Sequence, residues 1–365
     1  MAAHTGSIRC QRWFLFLLAF LATTTFFVTN CSGQEMPPDT VTVWNSNTKK
    51  SQSYRGRIVS YDASELKLQL ASGREQSLPS AQITDITSRW HDDYVKGEDF
   101  VQQRRFERAS ISYKQALTAE TRLWVKHRIT ARLVACEQND GNWHNAANQF
   151  FNTLMSQQSG TPYLSAAPLA WHTLSASGEL LHRGRELMRS ANALKQLVGA
   201  SWLLTTPYRS EAIVIFKQLE QHQDKTIALL AVAQTWRTRI PLAKQDDLKQ
   251  WEHLVLQPPR DLRAGPLHIL AQMQRSLGLH EEAVLTWMKI PILYPATHHL
   301  SAEALYASIR ELMTLTQYSE ALILCKEFAS RYSDTTTGTQ AERLELDIRA
   351  RIKARDQINQ EGDAS

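Results

Sequence analysis

Phe106, Ala109, Tyr113, Ala116 and Leu117 set an apolar stripe at helical spacing, and the stripe returns as Trp143, Ala146, Phe150, Thr153 and Leu154. It returns again around Ala283 and Trp287, and once more from Tyr318 and Ala321. A helical pair of this kind buries only half of its apolar surface against itself, so the next pair must cover the rest. The chain is thereby constrained to a stacked repeat array, an architecture that usually holds a partner rather than transforming a substrate. Small side chains at Ala109, Ala146, Ala283 and Ala321 let paired helices approach closely, while Phe106, Trp143 and Tyr318 fill the space beside them.

The N-terminus has the order of an export signal. Arg9 and Arg12 supply the positive start, and Trp13 to Val28 form an apolar run broken only by Thr23, Thr24 and Thr25. Residues 1–33 are therefore expected to be a signal peptide or membrane anchor, with cleavage after Gly33. Cys31, after Val28, Thr29 and Asn30, offers a lipidation site as an alternative, although Asn30 departs from the small residue that a bacterial lipobox carries there. The expected location is the periplasm or cell envelope, with membrane attachment only through this segment if it is retained. Within the body only Cys136 and Cys325 remain, in widely separated repeats, and both are expected as buried thiols rather than a disulfide.

The formal net charge of +5 includes Arg9 and Arg12, and the remaining basic residues are interleaved with Asp and Glu. No dense basic stripe with stacking aromatics is present, which argues against nucleic acid as a partner. Residues 34–40 form a polar linker containing proline. Over 41–87 the period becomes two, in Val41 and Val43, Ile58 and Val59, Leu66, Leu68 and Leu70, then Ile83 and Ile86, punctuated by Asp62-Ala63-Ser64 and Ser72-Gly73-Arg74. Short alternating runs joined by tight turns predict about five strands. The words Gly56 to Asp62, Leu66 to Leu70 and Leu78 to Ile83 resemble small β-barrels of the SH3-like and Sm-like type, which implies a folded spacer before the helices.

From Ser88 the period is helical, and the family resemblance becomes specific. Gly97, Phe106, Ala109, Tyr113 and Ala116, then Gly141, Trp143, Ala146, Phe150 and Leu154, resemble the small and aromatic positions of tetratricopeptide (TPR) repeats. Two further units, Ala264 to Pro295 and Ala302 to Asp334, carry Leu267, Leu270, Ala271, Gly278, Ala283 and Trp287, then Leu305, Leu312, Tyr318, Ala321 and Phe328. Ala109 to Ala146 and Ala283 to Ala321 are offset by 37 and 38 residues, against about 34 in the family, so longer turns are expected. The fold class that follows is mainly α: a TPR-like α-solenoid of helical hairpins preceded by a small all-β barrel. Its expected segments are repeats over 88–158, divergent helical hairpins over 159–262, repeats over 263–334, a capping helix over 335–357 and a disordered tail over 358–365. In the divergent region Ala166 to Leu174, Ala191 to Leu204, Ser210 to Leu219 and Thr226 to Trp236 read as helices.

No catalytic word occurs: no glycine-flanked serine elbow, phosphate-binding loop, paired-histidine zinc helix or Cys-x-x-Cys pair. His280-Glu281-Glu282 lacks a second histidine at helical spacing, and His298-His299 reads as the exposed start of a helix. The chain is therefore expected to be non-enzymatic, with no cofactor and no bound metal. Trp143, Trp202, Trp236 and Trp287 fall at core positions, whereas Trp90 and Trp251 are less constrained. In the family the first helix of each unit lines the concave face. The resemblance thus implies partner-binding positions at His91, Tyr94, Glu98 and Gln102, at Arg128, Gln138 and Asn139, at His268, Gln272 and Arg275, and at Glu303, Tyr306 and Arg310. Polar residues mixed with a few aromatics suit a protein or extended peptide as the held partner, with a cell-wall glycan as the second class. The expected role is an exported scaffold for protein binding, or else a peptidoglycan-binding envelope protein assisting an assembly or division complex.

Overall fold

The computed structural model describes residues 38–45, 48–156, 160–333, 335 and 337–363. The segment read as an export signal, 1–33, lies outside the described residues, and no helix among those described is long and apolar enough to cross a membrane.

The chain is mainly helical and begins with a five-stranded antiparallel sheet: β1 Asp39–Asn45, β2 Lys50–Tyr61, β3 Glu65–Gln69, β4 Glu75–Pro79 and β5 Ile83–Thr87, in the spatial order β4-β3-β2-β1-β5. Strand β2 is long and bends where its register on β3 shifts between Ile58 and Ser60, so one strand serves both halves of the sheet. Asp62 makes the turn into β3, its carboxylate accepting from the Ser64 and Glu65 amides at 2.8 and 3.1 Å. The alternating residues Val41, Val43, Ile58, Leu66, Leu68, Leu78 and Ile86 all point inward.

They do not form a core of their own. Tyr94, Phe106, Trp124, Val125 and Ile129 from the first helices belong to the same apolar cluster. A half-buried polar knot reinforces the junction: the Ser88 hydroxyl donates to Asp39 at 2.5 Å, and Arg122 donates to Ser88 at 2.7 Å and to Glu120 at 2.8 Å. The change of period at Ser88 thus marks a change of element type within one shared apolar cluster.

Fourteen α-helices follow among the described residues. Hairpins α1 Asp92–Gln102 with α2 Phe106–Ala119, and α3 Leu123–Asn139 with α4 Trp143–Gln149, lie where the first two repeats were expected. The α4 helix widens into a π-turn over Phe150–Leu154. Hairpins α10 Ala264–Ser276 with α11 His280–Leu293, and α12 His298–Thr314 with α13 Tyr318–Tyr332, form the last two. Ala109, Ala146, Ala283 and Ala321 are fully buried, and so are Tyr113 and Phe150. Gly97 is required by its neighbour: a Cβ there would lie 2.5 Å from the Tyr113 ring.

Between them stand α5 Gly178–Met188, α6 Ala193–Leu203, α7 Arg209–Leu219, α8 Lys225–Arg239 and α9 Gln245–Leu254. Helix α14, Gly338–Asp363, packs on α13 through Ala341 and Ile348. Helical backbone therefore runs into the segment expected as a disordered tail. Trp251 is not a surface residue: it is fully buried and stacks on Trp236 at 4.5 Å with 9° between the ring planes. Cys136 and Cys325 are buried and free.

Two features separate this array from a simple rod. Residues expected as a helix from Ala166 to Leu174 instead make a short 3-10 turn, Leu164–Ala166, followed by irregular chain to Ser177. Pro168 cannot supply a helical amide donor, and Ala167, Leu169, Ala170 and Leu174 are buried among α4, α6 and α8. The second feature is curvature. The start of α2 meets the start of α12 through the Phe106 and His298 rings at 5.0 Å, and Arg104 donates to the carbonyl of Ser330 in α13. The first and last hairpins touch, so the array closes on itself and its inner side becomes a cavity.

Candidate functional site

The inner cavity has a volume of about 470 Å³. One wall is α3, offering Arg128, Arg132, Gln138 and Asn139; the facing wall is the turn from Leu293 to His299, with Tyr294; the inserted loop supplies Tyr163, Ser165, Trp171 and His172.

The two arginines are held in place from behind. Arg128 Nε donates to the Tyr94 hydroxyl at 3.1 Å while its guanidinium lies 4.7 Å from the Trp90 ring centre. Arg132 donates to Glu98 at 2.9 Å, and Glu98 also accepts from the Tyr113 hydroxyl at 2.6 Å. Tyr94 and Glu98, expected to touch a partner, instead orient the two residues that face the cavity. Gln138 donates to the Ala166 carbonyl at 3.2 Å, joining α3 to the loop.

A half-buried arginine pins that loop. Arg237 of α8 donates to the carbonyls of Ala170 at 2.9 Å, Ser201 at 3.2 Å and His172 at 3.0 Å, and to the Gln234 side chain at 2.7 Å. Ser201 Oγ accepts from the Ala170 amide at 3.0 Å, Gln234 donates to the Ala170 carbonyl at 3.0 Å, and Trp202 donates to the Pro168 carbonyl at 2.7 Å. Irregular backbone can be buried here because its polar groups find these partners. Trp171 lies flat on α10, where Gly265 leaves the room: a Cβ on Gly265 would come within 2.0 Å of the indole. Trp171 packs against both the central and the following apolar clusters.

At the end of the loop His172 meets α12. Its Nδ1 lies 4.0 Å from Glu303, His299 Nε2 lies 3.6 Å from the same carboxylate, and His268 Nε2 lies 3.8 Å from it. The His172 and His299 rings are 4.6 Å apart. The Trp287 indole N–H, which can only donate, points at His268 Nδ1 at 3.2 Å. The Gln272 side-chain nitrogen, likewise only a donor, lies 2.8 Å from His268 Nε2, so two donors converge on an imidazole that has a single acceptor when neutral. Burial pushes the Glu303 carboxyl up to about 7, with the Arg237 guanidinium pulling it partly back. Burial, aided by Arg237 and Arg275, lowers His268 to about 3, and burial with the neighbouring His299, His268 and Arg237 holds His172 well below the ordinary imidazole value. Near neutral pH both imidazoles are uncharged.

The thirteen positions expected on the partner face thus divide. Arg128, Gln138 and Asn139 line the cavity; Tyr94 and Glu98 support it; His268, Gln272 and Glu303 form the polar cluster behind His172 and His299. His91 is exposed at the start of α1, its ring accepting from the Asp93 amide, and Gln102 is exposed at the end of that helix. Tyr306 packs edge-on against Phe328 at 6.4 Å. Arg275, 3.9 Å from Glu311, and Arg310 are exposed and outside the cavity wall. Arg132, Tyr163, Trp171, His172, Tyr294 and His299 were not anticipated at the site.

No family model matches the chain, and no curated protein does. Among solved structures, the TPR2AB domain of yeast Sti1 in its complex with pHSP90 is 14% identical, with 70% of this chain and 96% of that chain covered and a TM-score of 0.28. A tetratricopeptide repeat protein from Parabacteroides merdae is 15% identical, with 70% and 98% covered and a TM-score of 0.29. No conclusion about function rests on either likeness.

Proposed function

We propose that the chain is an exported, non-enzymatic scaffold of the tetratricopeptide-repeat kind, which holds an extended segment of a partner protein in the inner cavity. The observation that carries this reading is the pair Arg128 and Arg132, both fixed from behind by Trp90, Tyr94 and Glu98 and both on the cavity wall. Pre-oriented guanidinium groups match carboxylates bidentately and lose little freedom on binding, so an acidic side chain or a terminal carboxylate is the favoured anchor. Gln138, Asn139 and Ser165 on the same wall can meet a peptide backbone. The volume is that of a ligand site rather than a packing defect. The sheet, read as a small SH3-like or Sm-like barrel, braces the first hairpin. Placement at the cell envelope rests on Arg9, Arg12 and the Trp13 to Val28 run alone.

A second reading draws on different atoms. Trp143, Trp171, Tyr163 and Tyr294 present aromatic surface to the same cavity, and the buried Tyr163 hydroxyl has no hydrogen-bond partner among the described residues. Aromatic faces with unused polar groups suit a glycan, as in a peptidoglycan-binding envelope protein that assists an assembly or division complex. Selecting a displayed random-peptide library against the purified chain, beside binding of soluble peptidoglycan fragments, separates the two. The scaffold reading expects enriched peptides with acidic residues or free carboxyl ends, and at least tenfold weaker capture by an Arg128→Ala, Arg132→Ala double variant. Binding of the glycan fragments with no peptide enriched would replace it with the second.

A further inference from the structure

We propose that His172, His299 and Glu303 form a binding site for a single divalent transition-metal ion in the wall of the inner cavity. Among the described residues these three present ligand atoms that all lie within 4.8 Å of one another. His299 and Glu303 stand one helical turn apart on α12, which puts both side chains on one face of a rigid element. His172 arrives from the inserted loop, far away in sequence, and the loop backbone is fixed at that residue by the bond from Arg237 to its carbonyl at 3.0 Å.

Metal–ligand bonds of about 2.1 Å in a tetrahedral site place ligand atoms about 3.4 Å apart. His299 Nε2 lies 3.6 Å from Glu303 Oε1 and His172 Nδ1 lies 4.0 Å from Glu303 Oε2, and with one ligand atom taken from each residue all three stay within 4.8 Å. Small side-chain rotations close the difference. Two imidazoles and one carboxylate select ions such as Zn²⁺, Co²⁺, Ni²⁺ or Fe²⁺ over Mg²⁺ and Ca²⁺, which prefer oxygen alone. His268 Nε2 lies 3.8 Å from Glu303 Oε2, beside the cluster and outside the ligand set. The nearby Arg237 directs its donors to the carbonyls of Ala170, Ser201 and His172 and to Gln234 rather than to Glu303. Because His172 and His299 line the cavity, the position left open on the ion faces the space where a partner enters. The site itself does not depend on what that partner is.

The test is a Zn²⁺ titration of the full chain, stripped with a chelator, by calorimetry and by competition with a chromophoric chelator. Co²⁺ serves as a spectroscopic probe of coordination. One ion per chain is expected at this site, with the strong visible absorption of four- or five-coordinate Co²⁺ and a higher melting temperature with Zn²⁺. Each of His299→Gln, Glu303→Gln and His172→Asn should weaken Zn²⁺ at least tenfold and abolish the Co²⁺ band. His280→Asn, away from the cluster, should leave both unchanged. His172→Asn alters the buried loop, so the two α12 variants, each with native circular dichroism, decide the matter if it fails to fold. No Zn²⁺ binding by the folded chain, or binding that survives in the folded His299→Gln and Glu303→Gln variants, overturns the proposal.

Discussion

Replacing Arg237 with Met removes the guanidinium that pins the inserted loop and keeps a side chain of similar length. Two opposing effects decide the outcome. Burial, partly offset by Glu303 and reinforced by Arg209, depresses the Arg237 pKa from the ordinary 12.5 to about 10, a net electrostatic cost on the order of 3 kcal/mol that the variant no longer bears. Against it stand charge-assisted hydrogen bonds to Ala170, Ser201, His172 and Gln234, of which three leave Nη1, whose two protons are shared among them, so they count as about three full bonds. At about 2 kcal/mol each they contribute about 6 kcal/mol. The hydrogen bonds win by about 3 kcal/mol, in line with the cost of breaking other charged networks. Urea unfolding followed by far-ultraviolet circular dichroism should show that loss as a lower midpoint in Arg237→Met. Arg237→Lys should fall between, since an ammonium reaches fewer of these acceptors than the planar fork does. A loss below about 1 kcal/mol in Arg237→Met would refute the reasoning. The loop would then be held by its apolar residues, with the arginine only breaking even.

Three further outcomes follow from the packing. A chain starting at Ser88 should melt at a lower temperature and less cooperatively, because Tyr94, Trp124 and Val125 lose the strands that cover them; an unchanged melting curve would restore the sheet as a separable spacer. His127 is buried in α3, and burial lowers its pKa below the ordinary 6.5. The unfolded chain therefore takes up that proton first, so this residue's contribution is complete above about pH 6.5 and is lost as the pH falls toward the folded value. His127→Gln should flatten the loss of stability below that pH, and an identical pH profile would show that His127 titrates alike in both states. Cysteines placed at Arg104 and Ser330 should be joined within one chain by a short bismaleimide, since the two residues are in contact, and failure to join would mean that the array is open.

The hairpins were legible because periodicity reports burial directly: Ala109, Ala146, Ala283 and Ala321 recur at helical spacing and all four are fully buried. The strands were legible for the same reason at period two. Residues 163–177 were not, since a buried irregular segment carries apolar residues without a period of its own, and Ala166 to Leu174 was therefore misread as a helix. Its partners Ser201, Gln234 and Arg237 lie on α6 and α8, at sequence separations that no local pattern encodes. The family register placed Arg128, Gln138 and Asn139 on the inner side, and these line the cavity. Closure of the array was invisible in sequence. Closure is what sets the turn bearing His298 and His299 against the loop bearing His172, so a histidine pair that reads as an exposed helix start is drawn into the wall. The place of Trp251 stayed open because α9 lies outside the repeat pattern, and its stacking on Trp236 buries it fully.

The central claim, that the partner sits inside the closed array, is tested most directly by site-specific photo-crosslinking. A benzoylphenylalanine replaces Asn139 on the cavity wall in one protein and exposed Arg310 in another, each illuminated with a peptide selected from the displayed library. Crosslinked peptide is expected from position 139 and none from position 310. Crosslinking from position 310 alone would put the partner outside the cavity.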